Sequence, residues 1–496
     1  MSGDEKISQL ASGSPAQAGD EYVIARSGSN FKLTLTNIAA TMPPIGASTP
    51  NSGAFTTLSA SSTVSGTGFS TYLASPPAIG GTAAAAGSFT TLSASGVTTV
   101  QAGTSALPAV TTTGDTNTGV YFPAADQVAV TTGGTVAAAF NSNGLFFRNR
   151  IINGDMTIAQ RGTSAGDNGT YPVDRWVYYA AQTSKGTFQQ NSGSVTPPAG
   201  FQNYSGFVSS SAYSVVAADY FYLQQGVEGY NFADADWGTA NAKTVTLSFW
   251  VRSSLTGTFG GSLRNEAVNR SYPYTYAISA ANTWEYKTIT IAGDTTGTWN
   301  KTTSNGVRVM FSVGAGTSQS GTAGAWAAAN YSSATGAVSV VGTNGATWYI
   351  TGVQLETGSV ATPFERRPYG TELGLCQRYF VSMGGSSVYE QFFMVSSTAA
   401  TDGRVVMFAP VEMRTRPSII QSGSFELRGG STALSGTYSA STTMYATAES
   451  SFCGVKNIGF DFYPGTAGSY GVTNAGCFVV RANNSTATRF QLSAEL

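Results

Sequence analysis

Seventeen residues beginning at Ile45 return 34 positions later at Ile79. The first copy reads Ile-Gly-Ala-Ser-Thr-Pro-Asn-Ser-Gly-Ala-Phe-Thr-Thr-Leu-Ser-Ala-Ser, and the second ends on the identical block Phe-Thr-Thr-Leu-Ser-Ala-Ser. Each copy has one Ile, one Phe and one Leu as its large apolar side chains. So few apolar groups cannot offset the conformational entropy of ordering a separate globule. The segment is either a flexible linker or a shaft in which three chains supply one another's core. The ordered Phe-x-x-Leu spacing favours the shaft, since pure linkers rarely repeat bulky residues. Residues 41–148 are therefore expected to be a thin, repeat-containing shaft of a homotrimer.

Beyond the shaft, strand patterns dominate. In Lys243-Thr-Val-Thr-Leu-Ser-Phe-Trp-Val-Arg252 the alternation puts Val245, Leu247, Phe249 and Val251 on one face. In Gly306-Val-Arg-Val-Met-Phe-Ser-Val313 it does the same with Val307, Val309, Phe311 and Val313. Such half-buried antiparallel strands build sandwiches. Charge is scarce as well: 10% of residues are Asp, Glu, Lys or Arg, against about 25% in an ordinary soluble domain. Long helices need solvated charged faces, whereas 59 glycines among Ser and Thr suit tight turns between short strands. The expected fold class is all-β.

Several chemistries are excluded. No histidine is present, which removes Ser-His-Asp and Cys-His catalysis and His-ligated metals. Cys376, Cys453 and Cys477 are far apart and odd in number, which suits buried thiols rather than a disulfide framework or a metal site. Asp115-x-Asn117-x-Gly119 has the look of a calcium loop but lacks acidic residues at the later ligand positions, so it is read as a capped turn. No metal or cofactor is expected. With 25 basic and 26 acidic residues and no basic run, nucleic-acid binding has no electrostatic footprint. No apolar stretch is long enough to span a bilayer, and the N-terminus lacks the apolar region of a secretory signal. Synthesis in a cytoplasm without membrane insertion is expected.

Several motifs carry a resemblance. Glu21–Arg26 and Asn30–Thr36 read as a hairpin around Ser27-Gly-Ser-Asn30, similar to the N-terminal, particle-docking end of bacteriophage tail fibres. The 34-residue repeat resembles a tail-fibre shaft, and 106–130 is similar to an element that follows it. Asn149-Arg-Ile-Ile-Asn-Gly-Asp-Met-Thr-Ile-Ala-Gln-Arg161 with Tyr171-Pro-Val-Asp-Arg-Trp176 resembles the opening of a carbohydrate-binding-like β-sandwich of phage tail proteins. Trp348–Tyr369 resembles its close, and Glu372–Phe380, Arg404–Pro417 and Phe490–Leu496 resemble the distal domain. A short helix at 371–379, with Thr371 as N-cap, is expected to couple the two.

The resemblance implies an elongated trimeric fibre, a virion tail component, with an N-terminal attachment module at 1–40 and the shaft at 41–148. After them come a carbohydrate-binding-like sandwich at 149–370 and a C-terminal β tip domain at 371–496. Its N-terminus would meet a virion tail or adaptor protein, and its distal domains a host surface glycan or outer-surface protein. Host attachment by receptor binding, without catalysis, is the expected function. A fibre-borne glycan depolymerase and a purely architectural fibre are the alternatives.

Sugar rings stack on open aromatic faces, so Trp237, Trp299, Trp326 and Tyr331, set among Gly, Asn and Thr, are the candidate receptor-binding residues. Trp176, Trp250 and Trp348 lie in strand-like contexts and read as structural. A hydrolase would need paired carboxylates. Asp219, Glu228, Asp234 and Asp236 are sparse and read as a solvated surface loop. Arg366 and Arg367 are expected to pair with carboxylates at an interdomain seam.

Deleting 41–95 is expected to weaken self-association more than trimming any loop within 180–340. Sedimentation of the two deletion variants checks this, and a wild-type monomer at about micromolar concentration contradicts the shaft reading.

Overall fold

The computed structural model describes residues 21–26, 29–34, 91, 93–140, 148–399, 402–423, 425–428, 437–438, 444–445, 455, 457–462 and 476–496. The repeat at 45–61, most of its copy at 79–95, and Cys453 lie outside them. Residues 1–97 and 98–496 form two compact units. In the first, β1 (Glu21–Arg26) and β2 (Ser29–Thr34) pair antiparallel with Arg26 opposite Ser29, the expected hairpin.

The second unit opens with a meander of β3 (Val110–Thr112), β4 (Asp115–Tyr121), β5 (Val128–Thr132) and β6 (Thr135–Phe140). Gly133 and Gly134, at φ 57° and 78°, make its last tight turn, a conformation that suits glycine. Asp115, Asn117 and Gly119 lie along β4, and the Asp115 carboxylate accepts from the Asn117 amide at 3.4 Å.

Next come β7 (Ser164–Ala165), β8 (Thr170–Val173), β9 (Trp176–Ala180), β10 (Gly186–Gln190), β11 (Ser205–Ser209) and β12 (Tyr220–Glu228). They are followed by β13 (Val245–Ser253), β14 (Gly257–Arg264), β15 (Ser271–Ile278), β16 (Glu285–Ile291) and β17 (Asn305–Ala315). A short parallel pair, β18 (Ser320–Gly321) and β19 (Ser333–Ala334), precedes β20 (Thr347–Thr357). Two six-stranded sheets result, ordered β16-β13-β20-β11-β10-β7 and β15-β14-β17-β12-β9-β8. The alternation read from sequence is the reason they stack. Val245, Leu247, Phe249 and Val251 of one sheet share a buried core with Val307, Val309, Phe311 and Val313 of the other. Phe249 and Phe311 meet with ring centroids 4.9 Å apart and nearly perpendicular. Polar tips in this core find partners: Trp348 Nε1 donates to the Tyr276 hydroxyl at 3.0 Å, and that of Tyr274 donates to the Met310 carbonyl at 2.7 Å.

Strand β20 carries a β-bulge. Ser248 pairs with Gln354 and Trp250 with Thr351, so Gly352 and Val353 together oppose Phe249. Gly352 sits at φ 62°, the left-handed first position that favours glycine in such bulges. The extra residue shifts the inward parity. Trp348 and Ile350 face the core before it, and Val353 and Leu355 after it. Past the bulge the opening motif closes on the strand. Val353 donates to the Gly154 carbonyl at 2.9 Å, and Arg150 to that of Leu355 at 2.8 Å.

Helix α1 (Tyr369–Gln377) is the one α-helix among the described residues, and no helix there is long and apolar enough to cross a membrane. It begins two residues earlier than expected. Pro368 is the N-cap and Thr371 lies inside, its amide donating to the Pro368 carbonyl at 2.9 Å. A proline with fixed φ starts a helix without sacrificing an amide donor. Cys376 is buried among Ile152, Ile158 and Tyr379, and burial pushes its thiol well above the usual range.

Beyond α1, β21 (Phe380–Met383), β30 (Arg489–Ser493) and β24 (Ser418–Ser422) form one sheet. A second runs β26-β25-β29-β22-β23-β28-β27. Its members are β22 (Gln391–Ala399), β23 (Asp402–Phe408), β25 (Phe425–Arg428), β26 (Thr437–Tyr438), β27 (Met444–Tyr445), β28 (Asn457–Phe462) and β29 (Gly476–Ala482). With thirty strands described, the all-β expectation holds.

A valine at position 352 would adopt a strained φ and set its Cβ 2.6 Å from the Phe201 ring. Gly352→Val is expected to destabilise the protein by about 2–4 kcal/mol. Denaturant unfolding followed by intrinsic fluorescence measures the loss.

Candidate ligand-binding face

The pleat that sends Phe249 inward sends its neighbours outward. Thr246, Ser248, Trp250 and Arg252 point away from the core, and Tyr286, Thr288 and Thr290 of β16 join them on the same side. Trp250 and Tyr286 pair across the two strands at 5.4 Å, with Tyr286 43% exposed. Gly352 makes room beside them, because Phe201 lies where a Cβ would stand. Phe201 meets Phe364 edge-on at 5.2 Å, and the Arg366 guanidinium sits above both rings at 4.6 and 5.6 Å.

Thr246, Trp250, Tyr286, Thr288 and Thr290 line an open groove of about 770 Å³ together with Phe201, Phe364 and Arg366. Its floor is the sheet face. Thr135 and Val136 of the small meander form the opposite wall. Thr288 and Thr290 bring exposed hydroxyls to the lining, whereas Thr246 and Thr362 are buried and donate to the Gly358 carbonyl and to Glu356. A smaller cavity of about 260 Å³ adjoins it between the opening and closing motifs, and Arg366 borders both. Further along the same sheet face, Tyr204 packs against Trp284 at 5.7 Å and Tyr349 at 5.4 Å.

Three of the four aromatics singled out from sequence do come together, and two of them are buried. Trp237, Trp299 and Trp326 form a triad with centroids 4.7, 5.0 and 5.3 Å apart, all close to perpendicular. Trp237 is 2% and Trp299 7% exposed. Each indole N–H is taken: Trp237 by the Lys243 carbonyl, Trp299 by Asp294 and Trp326 by the Ala292 carbonyl. Tyr331 lies apart, its ring where a Cβ on Gly321 would stand. Trp326 is half-buried and also packs on Tyr272 at 5.1 Å, so the triad reads as a loop platform with two of its three rings buried.

Sequence reasoning passed over Trp250, although its signal was in the alternation itself. If Phe249 and Val251 face inward, Trp250 faces out.

The acidic candidates also need correction, since two of them are buried rather than solvated. Asp219 is held by the Tyr213 hydroxyl at 2.7 Å and the Val216 amide at 2.9 Å. Glu228 takes two bonds from the Arg378 guanidinium, at 2.7 and 2.9 Å, and one from the Tyr379 hydroxyl at 2.7 Å. Asp234 pairs with Arg150, and Asp236 with Lys301 at 3.4 Å. The two expected arginine pairings split: Arg367 pairs with Glu372 at 3.2 Å and Glu365 at 3.5 Å, while Arg366 makes no ion pair among the described residues. No group of three or more His, Cys, Asp or Glu among them is placed to hold a metal ion.

No protein-family model matches the chain, and no curated protein does. Similar solved structures include a putative sugar binding protein from Bacteroides thetaiotaomicron, 10% identical, covering 42% of this chain and 100% of that one at TM-score 0.26. TmCBM61 in complex with β-1,4-galactotriose is 11% identical over 42% of this chain and 99% of its own, at TM-score 0.22. A family 11 carbohydrate-binding module of a Clostridium thermocellum cellulosomal cellulase is 15% identical over 39% of this chain and 95% of its own, at TM-score 0.20. At such TM-scores the likeness decides nothing about the binding properties of this chain.

Asp294 organises the tryptophan triad. Its oxygens take Arg270 at 2.5 and 2.9 Å, the Trp299 indole at 3.1 Å and the Thr296 amide at 3.2 Å. Burial alone would raise its carboxyl, but these donors hold it below the usual aspartate value. A depressed carboxylate stabilises the fold above its unfolded pKa and loses that contribution as pH falls through the folded one. Asp294→Asn is expected to cost about 2–3 kcal/mol at pH 7. The deficit should shrink below about pH 4, read from melting curves across pH.

Proposed function

We propose that this chain is an adhesive protein that binds a surface glycan on the outer face of the sheet containing β13, β16 and β20. The observation that carries the reading is the juxtaposition in one open groove of Trp250, Tyr286 and Phe201 with the hydroxyls of Thr288 and Thr290. Flat aromatic faces cover the apolar side of a sugar ring, and hydroxyls on a rigid sheet exchange hydrogen bonds with its own. Sheet-borne groups also keep their spacing without a ligand, so little ordering entropy is lost on binding.

The motifs at 149–176 and 348–380 resemble those of tail fibres, and on that likeness the adhesive is the receptor-binding fibre of a bacteriophage. It would be a homotrimer held to the virion through its N-terminus. Association has a candidate surface besides the shaft: Val406 and Phe408 on β23 are 62% and 70% exposed, while the adjacent Val405 is buried. Binding without catalysis is favoured over a depolymerase by the engagement of Asp219 and Glu228 in structural bonds.

Trp250→Ala in the full-length chain is expected to weaken glycan binding about tenfold or more at a single site. Because linked copies act through avidity, the loss on whole cells should be smaller for the assembled particle than for the isolated fibre. Binding of labelled wild-type and variant protein to a glycan array and to host cells tests both statements. Unchanged binding by Trp250→Ala would remove the site, and displacement of phage adsorption by the wild-type protein supports the attachment role.

A further inference from the structure

Charge is distributed unevenly around the groove. Arg366 is the only charged side chain among its lining residues, and no carboxylate lines it. The nearest acidic groups are already committed. Glu365 accepts the Asn149 amide at 2.9 Å and pairs with Arg367, and the buried Glu356 carboxylate accepts the Thr362 amide at 2.8 Å and its hydroxyl at 2.7 Å. Arg367, one residue away, spends its guanidinium on Glu372, Glu365 and the Asn149 and Ile151 carbonyls.

Arg366 is held differently. Its guanidinium lies over Phe201 and Phe364, and at Gly200 a Cβ would stand 3.2 Å from Nη2. Contact with the two rings restrains the guanidinium beside the groove, so part of its orientation is supplied before a ligand arrives. A planar fork beside an aromatic floor matches a ring that carries a carboxylate.

We propose that the groove selects an acidic sugar, a hexuronate or sialate unit, with its carboxylate on Arg366 and its ring on Trp250 and Tyr286. This rests on the reading of the sheet face as a glycan site. The anion supplies what the groove lacks. Arg366 is exposed at the groove's edge, so a neutral sugar gains nothing from its charge, while a second cation would be repelled by it.

The test uses the full-length protein on immobilised hexuronate- and sialate-bearing oligosaccharides, each beside its carboxyl-reduced counterpart, with sulfated analogues as a third arm. At least one acidic member is expected to bind about tenfold tighter than its reduced partner, with the preference fading as ionic strength rises from about 0.05 to 0.5 M. Arg366→Gln should erase the preference while keeping wild-type melting behaviour and any binding of reduced sugars. Arg366→Lys should keep part of it, since charge remains and the fork is lost. Equal binding of acidic and reduced partners, or a preference that survives Arg366→Gln, overturns the inference while leaving the glycan site standing. Preference for the sulfated arm over the carboxylated one also overturns it. If neither acidic nor neutral glycans are held at about millimolar concentration and Trp250→Ala leaves cell binding intact, both readings fall.

Discussion

Strand β20 contains one residue more than the ladder beside it requires, and that residue is Gly352. Without the bulge a single inward parity would run along the whole strand. Trp348 and Ile350 could then face the core only if Val353 and Leu355 did not. With it, both pairs are buried, and the strand that closes the sandwich contributes core along its full length. The same glycine leaves a hollow on the outer face where Phe201 lodges beside Trp250. Core continuity and the shape of the groove thus depend on one backbone irregularity. Glycine satisfies both demands, the positive φ and the absent side chain.

A second constraint joins the sandwich to the C-terminal β region. Arg175 is buried, stacks over the Tyr379 ring at 3.5 Å and binds Glu495 and the Gly226 carbonyl. Glu228 takes up Arg378 and Tyr379 from the other side of the same seam. Buried charges of this kind contribute little net stability as pairs, yet removing one partner strands the other, so the geometry is strongly specified. The short helix α1 crosses this seam, with Glu372 accepting from the Asn153 amide and pairing with Arg367. The opening and closing motifs are the contact surfaces of that arrangement: Asn149 binds β20 through both its side-chain ends, and Asn153 holds the Ile158 and Asp174 carbonyls.

Much of the fold was legible because strand periodicity is a local signal. The two alternating runs at 245–251 and 307–313 face each other across the core as their patterns require, and the expected hairpin forms at 21–34. The site was less legible, and the reason is physical. A tryptophan among Gly, Asn and Thr suggests an exposed loop, but Trp237, Trp299 and Trp326 find one another through contacts far apart in sequence. Glu228 looked solvated because its partner Arg378 is 150 residues away, while Asp219 is held by the nearby Tyr213 and Val216, whose turn the pattern did not reveal. Trp250 was recoverable from its own strand. The lesson from β13 is that strand parity shows which aromatic faces outward, whereas a glycine-rich loop does not show whether its tryptophan is buried.

The central claim is that the outer face of the β16-β13-β20 sheet holds the ligand. Photo-crosslinking tests it most directly: an oligosaccharide bound by the full-length protein is fitted with a diazirine, irradiated in the complex, and its attachment points are mapped by mass spectrometry. The account predicts adducts on β13, on β16 and at 201 and 364–366, competed away by the unmodified sugar. Competable adducts confined to the tryptophan triad or to residues 380–496 would contradict it.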